Sequence, residues 1–315
     1  MNERAALDSK AVAWMVMACG IWSVQQIGLK ATAHLAAPVL QIGVRSLIAA
    51  ACVYAIIRLR GAHVAFSGKV AVAGAFAGLL FGVEFLLLGE SLRFTSTSHV
   101  VVFMYTAPIF AALGLHWKLP SERLAAMQWL GIGLASLGIA VTFLGGGEAP
   151  AGLGLDDMLL GDALALLGGF CWGMTTVAIR TTVLSNVPAP QTLFYQLAIA
   201  GVMLVAAAAV SGQSAIQPSW LLAGNVAFQA FVVALLSYLL WFWMLTKYKA
   251  SQLGVFSFMT PMFGVALGVI LLGEPLTHEF VIGAVLVLCG ILLVTAWPWL
   301  RQRRKAASRR QIVQN

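Results

Sequence analysis

Arg45 and Glu84 stand inside long apolar stretches of this 315-residue chain, where a charge is costly. An ionisable group at membrane depth pairs with another, faces a water-filled cavity, or marks a route for cargo. Counted at about 1.5 Å per helical residue, Arg45 lies about 10 Å and Glu84 about 12 Å from one common end of their helices, so they share a depth. Such a pair either neutralises itself as a structural ion pair or faces a cavity, where it binds a zwitterion or exchanges a proton. Gln41, one turn before Arg45, extends the same polar face. Trp22, Gln25 and Gln26 cluster in the first apolar stretch and Trp172 repeats the tryptophan in the sixth. Tyr105, Tyr195, Gln196, Tyr238 and Trp241 add rings with polar tips, and nearby amides, at depths where lipid does not favour them. Aromatic walls with few fixed charges suit a small amphiphilic or aromatic solute better than a bare inorganic ion.

Other chemistry is missing. His34, His63, His99, His116 and His278 show no metal-ligand spacing, and Cys19, Cys52, Cys171 and Cys289 lie on four separate apolar stretches with no CxxC, so they read as small buried hydrophobes. There is no phosphate loop and no GxSxG elbow. Asp156, Asp157 and Asp162 gather at the start of the sixth stretch and read as a solvated helix cap, not a catalytic cluster. No enzyme activity, metal or cofactor is expected.

Helices in lipid must hold these residues. The chain is 61% hydrophobic and 10% charged, with a mean hydropathy of +0.92, a composition foreign to soluble domains. A hydrocarbon core of about 30 Å takes about 20 helical residues to cross. Apolar stretches of that kind run over 11–33, 38–57, 70–92, 98–117, 125–144, 159–179, 190–210, 220–246, 251–272 and 280–299, which predicts an all-α membrane protein of ten transmembrane helices. The first contains Gln25, Gln26 and Lys30 and has no small-residue cleavage site, so it is expected to be retained. The runs lack the two-residue alternation of a lipid-facing strand, which excludes a β-barrel. With the N-terminus cytoplasmic, every Lys and Arg except Lys30, Arg45 and Arg93 falls on the inside, and the positive-inside rule then puts both termini in the cytoplasm. The expected organisation is a cytoplasmic N-terminus over 1–10, a first five-helix repeat over 11–145, an extracytoplasmic linker over 146–158, a second repeat over 159–299 and a basic cytoplasmic tail over 300–315. The net charge of +8 is largely that tail. Its side chains are attracted to anionic lipid at about 1 kcal/mol each, and no nucleic acid is expected.

The two halves read as copies of one another. Trp22 aligns with Trp172, Lys30 with Arg180, Gln41 with Gln191, Ser98 with Ser251 and Pro108 with Pro261; Glu122 aligns with Glu274, Gly131 with Gly283 and Gly138 with Gly290. Five helices per copy send the second copy into the membrane opposite to the first. Inverted-topology repeats of this kind hold cargo near the midplane between two gates. Proline removes a backbone hydrogen bond from a helix, so Pro108 and Pro261 are predicted hinges. Gly74, Gly78 and Gly82, and Gly264 with Gly268, predict close helix contacts.

A Trp in the first span of each repeat, a mid-span Pro in the fourth, and a Glu followed by a spaced Gly pair leading into the fifth resemble the EamA-type drug/metabolite transporter superfamily. The resemblance implies a monomer or weak dimer in a bacterial inner membrane, exporting small metabolites, amino acids or drugs by alternating access. Bacterial aromatic amino-acid exporters of that family fit the ring-lined spans best. Its expected partners are a small-molecule substrate and the lipid bilayer, with protons as the candidate coupling ion. In the first repeat Lys118-Leu119-Pro120-Ser121-Glu122 stands where the second has Leu272-Gly273-Glu274, so no function is carried onto Glu122. A nucleotide-sugar or phosphosugar carrier would need several cations in the cavity, where only Arg45 qualifies and Lys30 is marginal. A membrane lipid-modifying enzyme would need a catalytic cluster at one membrane face.

Overall fold

In the computed structural model the described residues are 8–119, 123–144, 154–248, 257, 259–274 and 276–314. Among them the chain is helical, with an isolated bridge between Ala36 and Ile216 and no strand. The helices are α1 (Ser9–Ala31), α2 (Pro38–Leu59), α3 (Gly68–Phe94), α4 (Thr97–Met104), α5 (Ala107–Lys118), α6 (Ala126–Leu144) and α7 (Leu155–Thr181). They continue with α8 (Ala189–Val210), α9 (Trp220–Ala227), a π-helix (Phe228–Ser237), α10 (Tyr238–Lys247), α11 (Met259–Leu272) and α12 (His278–Gln314). Seven stretches are long and apolar enough to cross a membrane: 9–31, 38–59, 68–94, 97–118, 155–181, 189–210 and 220–241. The apolar helices 126–141, 259–272 and 278–294 are shorter. Much of the expected 146–158 linker, the first residues of the expected 251–272 span, and Glu122 lie outside the described residues.

Two of the predicted continuous spans are broken. Between α4 and α5 the chain turns at Tyr105 and Thr106, and Pro108 takes the second position of α5, where its missing N–H is tolerated. At the break Phe103 O accepts twice from Thr106, from its N–H at 3.1 Å and its hydroxyl at 2.6 Å. Gly169 of α7 packs against the Phe103 and Met104 carbonyls, where a Cβ would come within 2.9 Å. Pro261 is the third described residue of α11, and Ser257 before it is also helical, so the proline stands within a helical stretch. The other break is the π-helix inside the predicted 220–246 span. Such wider turns are rare and gather at functional sites.

Glycine sets the helix contacts, as its spacing predicts. Gly74, Gly78 and Gly82 seat Tyr195, Ile199 and Met203 of α8, and Gly264 seats Val101 of α4. Along the antiparallel α6 and α12, Gly131 meets Gly290 O and Gly138 meets Gly283 O. Because Gly131 aligns with Gly283 and Gly138 with Gly290, these contacts are related as by a twofold axis, the form an isologous interface takes. The core lies among α2, α3, α4, α7 and α8, around Ile42, Leu88, Phe103 and Leu204, while Leu59, Val210 and Trp220 are left on the outside. An apolar outside is what lipid rewards and water does not.

Candidate functional site

A cavity of about 410 Å³ lies between α1, α3, α4, α7, α8 and α10, within the range of small-molecule sites. Its wall includes Trp22, Gln25 and Gln26 of α1; Phe81, Glu84, Phe85 and Leu88 of α3; and Met104 and Tyr105 at the α4 break. Trp172, Thr175, Thr176, Ile179 and Arg180 of α7, Leu193 and Gln196 of α8, and Tyr238 and Trp241 of α10 complete it with Ser257. The rings brace one another edge to face: Trp22 and Trp241 at 5.6 Å, Tyr105 and Trp172 at 5.1 Å. Trp22 Nε1 donates to Ser237 Oγ at 2.9 Å, and that hydroxyl donates to Val233 O at 2.6 Å, so the last residue of the π-helix fixes the indole.

Eight of the side chains expected to meet cargo stand on this wall: Trp22, Gln25, Gln26, Glu84, Tyr105, Trp172, Tyr238 and Trp241. Gln41, Arg45 and Tyr195 do not. Gln41 Nε2 donates to Ala36 O at 2.8 Å and to Thr32 O at 3.2 Å, and its Oε1 accepts from Asn225 Nδ2 at 2.8 Å, so it fastens the α1–α2 turn to α9. Tyr195 lies over Gly74 and donates its hydroxyl to Ala65 O. Arg45 is 1% exposed, donates to Gln229 Oε1, and lies over the Phe85 ring at 4.9 Å. The Arg45–Glu84 ion pair weighed from depth alone does not form: among the described residues the pairs within 4.0 Å are Arg93–Glu90 and His99–Asp162. Depth fixes a residue's level in the membrane but not the direction it faces around its helix.

Residues 9–144 and 159–296 match the EamA-like transporter family. The chain belongs to that family. The uncharacterized transporter YoaV of Bacillus subtilis is 23% identical over 282 residues, spanning 87% of this chain and 93% of its own. A probable amino-acid metabolite efflux pump of Salmonella typhimurium is 25% identical over 283 residues, 87% of this chain and 90% of its own. A solved crystal structure, 21% identical, superposes with a TM-score of 0.63 over 92% of this chain and 98% of its own, a likeness of fold.

In this EamA-like transporter the cavity wall reaches Arg180 at the C-terminal end of α7 and has no lining residue at the opposite end, where Lys30 lies beside the buried Ser91, Leu92 and Thr95. Lys30 Nζ donates to Leu92 O and, at 2.9 Å, to Thr95 O, so the cation caps the carboxyl end of α3. Gly273, at φ 65°, adopts the left-handed turn that only glycine takes without strain and ends α11. Glu274 then reaches the first turn of α4, accepting from Thr97 N at 2.6 Å, Ser98 N at 2.9 Å and Ser98 Oγ at 2.6 Å. The Leu272-Gly273-Glu274 sequence is therefore a helix stop followed by a cap for another helix.

Beside this cap, His99 Nδ1 lies 2.8 and 3.0 Å from the two oxygens of Asp162, which also accepts from Thr95 Oγ1 at 2.7 Å. The His99 ring stacks on Phe280 at 4.3 Å. Asp162 is fully buried, which corrects its reading as part of a solvated cap; Asp157 alone caps the α7 start, accepting from Gly154 N at 3.1 Å. Cys19 and Cys171 are buried as expected, but Cys289 faces outward. Gln229 was not singled out in the sequence. It accepts from Arg45 and donates to Gln25 O at 2.7 Å, tying α2 through the π-helix to the cavity wall. Its one sequence signal is an amide deep in an apolar stretch.

Proposed function

We propose that this transporter is a secondary carrier that exports amino acids or related small amphiphilic metabolites across a bacterial inner membrane by alternating access. One observation carries the reading: a ring-walled cavity of about 410 Å³, central in the bundle, extends to the Arg180 end and is closed by polar caps at the Lys30 end. Cargo in such a site exchanges with one compartment at a time. The relation between α6 and α12 supports two inverted repeats as the source of the second gate. With both termini cytoplasmic, the Arg180 end faces the cytoplasm, which suits loading for export. The relative named as a probable amino-acid metabolite efflux pump supports the same cargo class. A phosphorylated cargo fits less well, because Arg180 is the one Lys or Arg on the described wall.

The test is flux of labelled amino acids, aromatic ones included, into liposomes holding the purified protein, with and without an imposed pH gradient. Saturable flux is expected. Flux that follows the gradient identifies protons as the coupling ion, flux that ignores it identifies facilitated export, and no flux of any amino acid overturns the proposed cargo.

A further inference from the structure

We propose that the cavity recognises its cargo by a primary ammonium group, received by Glu84 and Gln26 inside the aromatic wall. This rests on the carrier reading and names the chemistry of what is carried. Glu84 and Gln26 are 4% and 5% exposed, both line the cavity, and Glu84 Oε2 and Gln26 Oε1 have no hydrogen-bond partner among the described residues. A buried acceptor left unmatched costs about 1–3 kcal/mol, and more when it is charged. Two of them on one cavity wall are held for a donor that arrives with the cargo.

The nearest cation does not supply that donor. Arg45 attracts Glu84 electrostatically but makes no ion pair with it within 4.0 Å; it donates to Gln229, lies over the Phe85 ring, and leaves its own Nε unpartnered among the described residues. Two unmatched acceptors, one of them a carboxylate, call for a donor, and an ammonium, with three donors and no acceptor, meets both. The faces of Trp22, Trp172, Trp241 and Tyr105 carry the negative side of their quadrupoles, which attracts a cation and repels an anion. A carboxylate or phosphate at this place would meet Glu84 with like charge, so the site also selects against anions. A hard metal ion asks for six or more oxygen ligands, and no cluster of metal-binding side chains occurs among the described residues. Neutral and cationic ends of an amphiphile are thus distinguished here, and an amino acid's own carboxylate is not what Glu84 and Gln26 read.

Three ligands of one shape separate these terms: phenylalanine, phenethylamine, which lacks the carboxylate, and phenylpropionate, which lacks the ammonium. Binding to the purified full-length protein is followed by tryptophan fluorescence, excited where the ligands do not absorb. Phenethylamine should bind at least as tightly as phenylalanine, and phenylpropionate at least about tenfold more weakly, the loss of one charge-assisted hydrogen bond. Glu84→Gln should weaken phenethylamine by at least about tenfold and phenylpropionate little. Gln26→Leu, which leaves the charge, should weaken the amine by a smaller factor and serves if Glu84→Gln does not fold. Phenylpropionate binding as well as phenethylamine, or amine affinity unchanged in both variants, overturns the proposal. Amine binding that depends on Glu84 in a protein that moves no solute in liposomes would overturn the carrier reading and leave this one standing.

Discussion

Glu274→Gln should unlatch the Lys30 end of the bundle. The carboxylate accepts three hydrogen bonds from the first turn of α4, at 2.6, 2.9 and 2.6 Å. The amide has one acceptor oxygen, and its nitrogen cannot accept from the backbone N–H of Thr97 or Ser98. At least one charge-assisted bond is lost, worth about 1.5–3 kcal/mol, together with the attraction of a negative charge for a helix N-terminus, about 0.3–1 kcal/mol. The sum is about 2–4 kcal/mol, so the population open at this end rises roughly 30- to 900-fold. Leu92, 1% exposed, has the carbonyl that Lys30 caps, so its side chain reports the seal. In a background without the four native cysteines, Leu92→Cys should react slowly with an impermeant maleimide applied from the His34 face. Adding Glu274→Gln should raise that rate by the factor above. Gly268→Ala should do the same by another route, because its Cβ would lie 2.7 Å from Ser98 Oγ and wedge the cap apart. Labelling no faster in either variant would refute the latch and leave the apolar packing of Leu88 and Leu92 as the seal.

Three further outcomes follow from the same geometry. Asp162→Ala leaves His99 and Thr95 without their buried acceptor and should destabilise the protein by about 3–5 kcal/mol, read as a lower unfolding temperature in detergent; an unchanged temperature would mean the pair contributes nothing. Gly138→Ala puts a Cβ 2.6 Å from Gly283 O and should cost about 1–3 kcal/mol, whereas Gly133→Ala, with nothing within 4 Å, should be neutral; equal effects would remove the α6–α12 contact from the account. For orientation, His34→Cys should react with an impermeant thiol reagent outside the cell and Ser185→Cys should not, since both positions are exposed in loops at opposite ends; the reverse pattern would invert the topology.

Several parts of the cavity were legible in the chain because hydrocarbon makes polar side chains conspicuous. Gln25, Gln26 and Glu84 stand out in apolar stretches, and the tryptophans aligned between the halves, Trp22 and Trp172, both reach the wall. Arg45 and Tyr195 stood out equally and lie elsewhere. Each is held by a partner distant in the chain, Arg45 by Gln229 of the π-helix and Tyr195 by Ala65 in the α2–α3 connection, and no local pattern distinguishes a buried polar group so engaged from one that faces a cavity. The break before Pro108 was signalled by a residue whose ring cannot continue a helix. The π-helix over 228–237 was not, since an extra residue per turn leaves no mark in a run that is apolar on most sides.

The amino-acid sequence by itself determined the solvent this protein lives in, the helical class, the approximate extents of its apolar helices and the family it resembles. Each of these follows from hydropathy, from the backbone's need to satisfy its own hydrogen bonds in lipid, and from motifs that repeat in order. Tertiary structure decided which polar groups are spent on one another and which are left facing a cavity. It joined His99 to Asp162 and Glu274 to the start of α4, left Glu84 and Gln26 unmatched, and closed one end of the cavity. Those outcomes depend on the rotation and pairing of helices far apart in the chain, set by glycine contacts and packing that hydropathy does not encode.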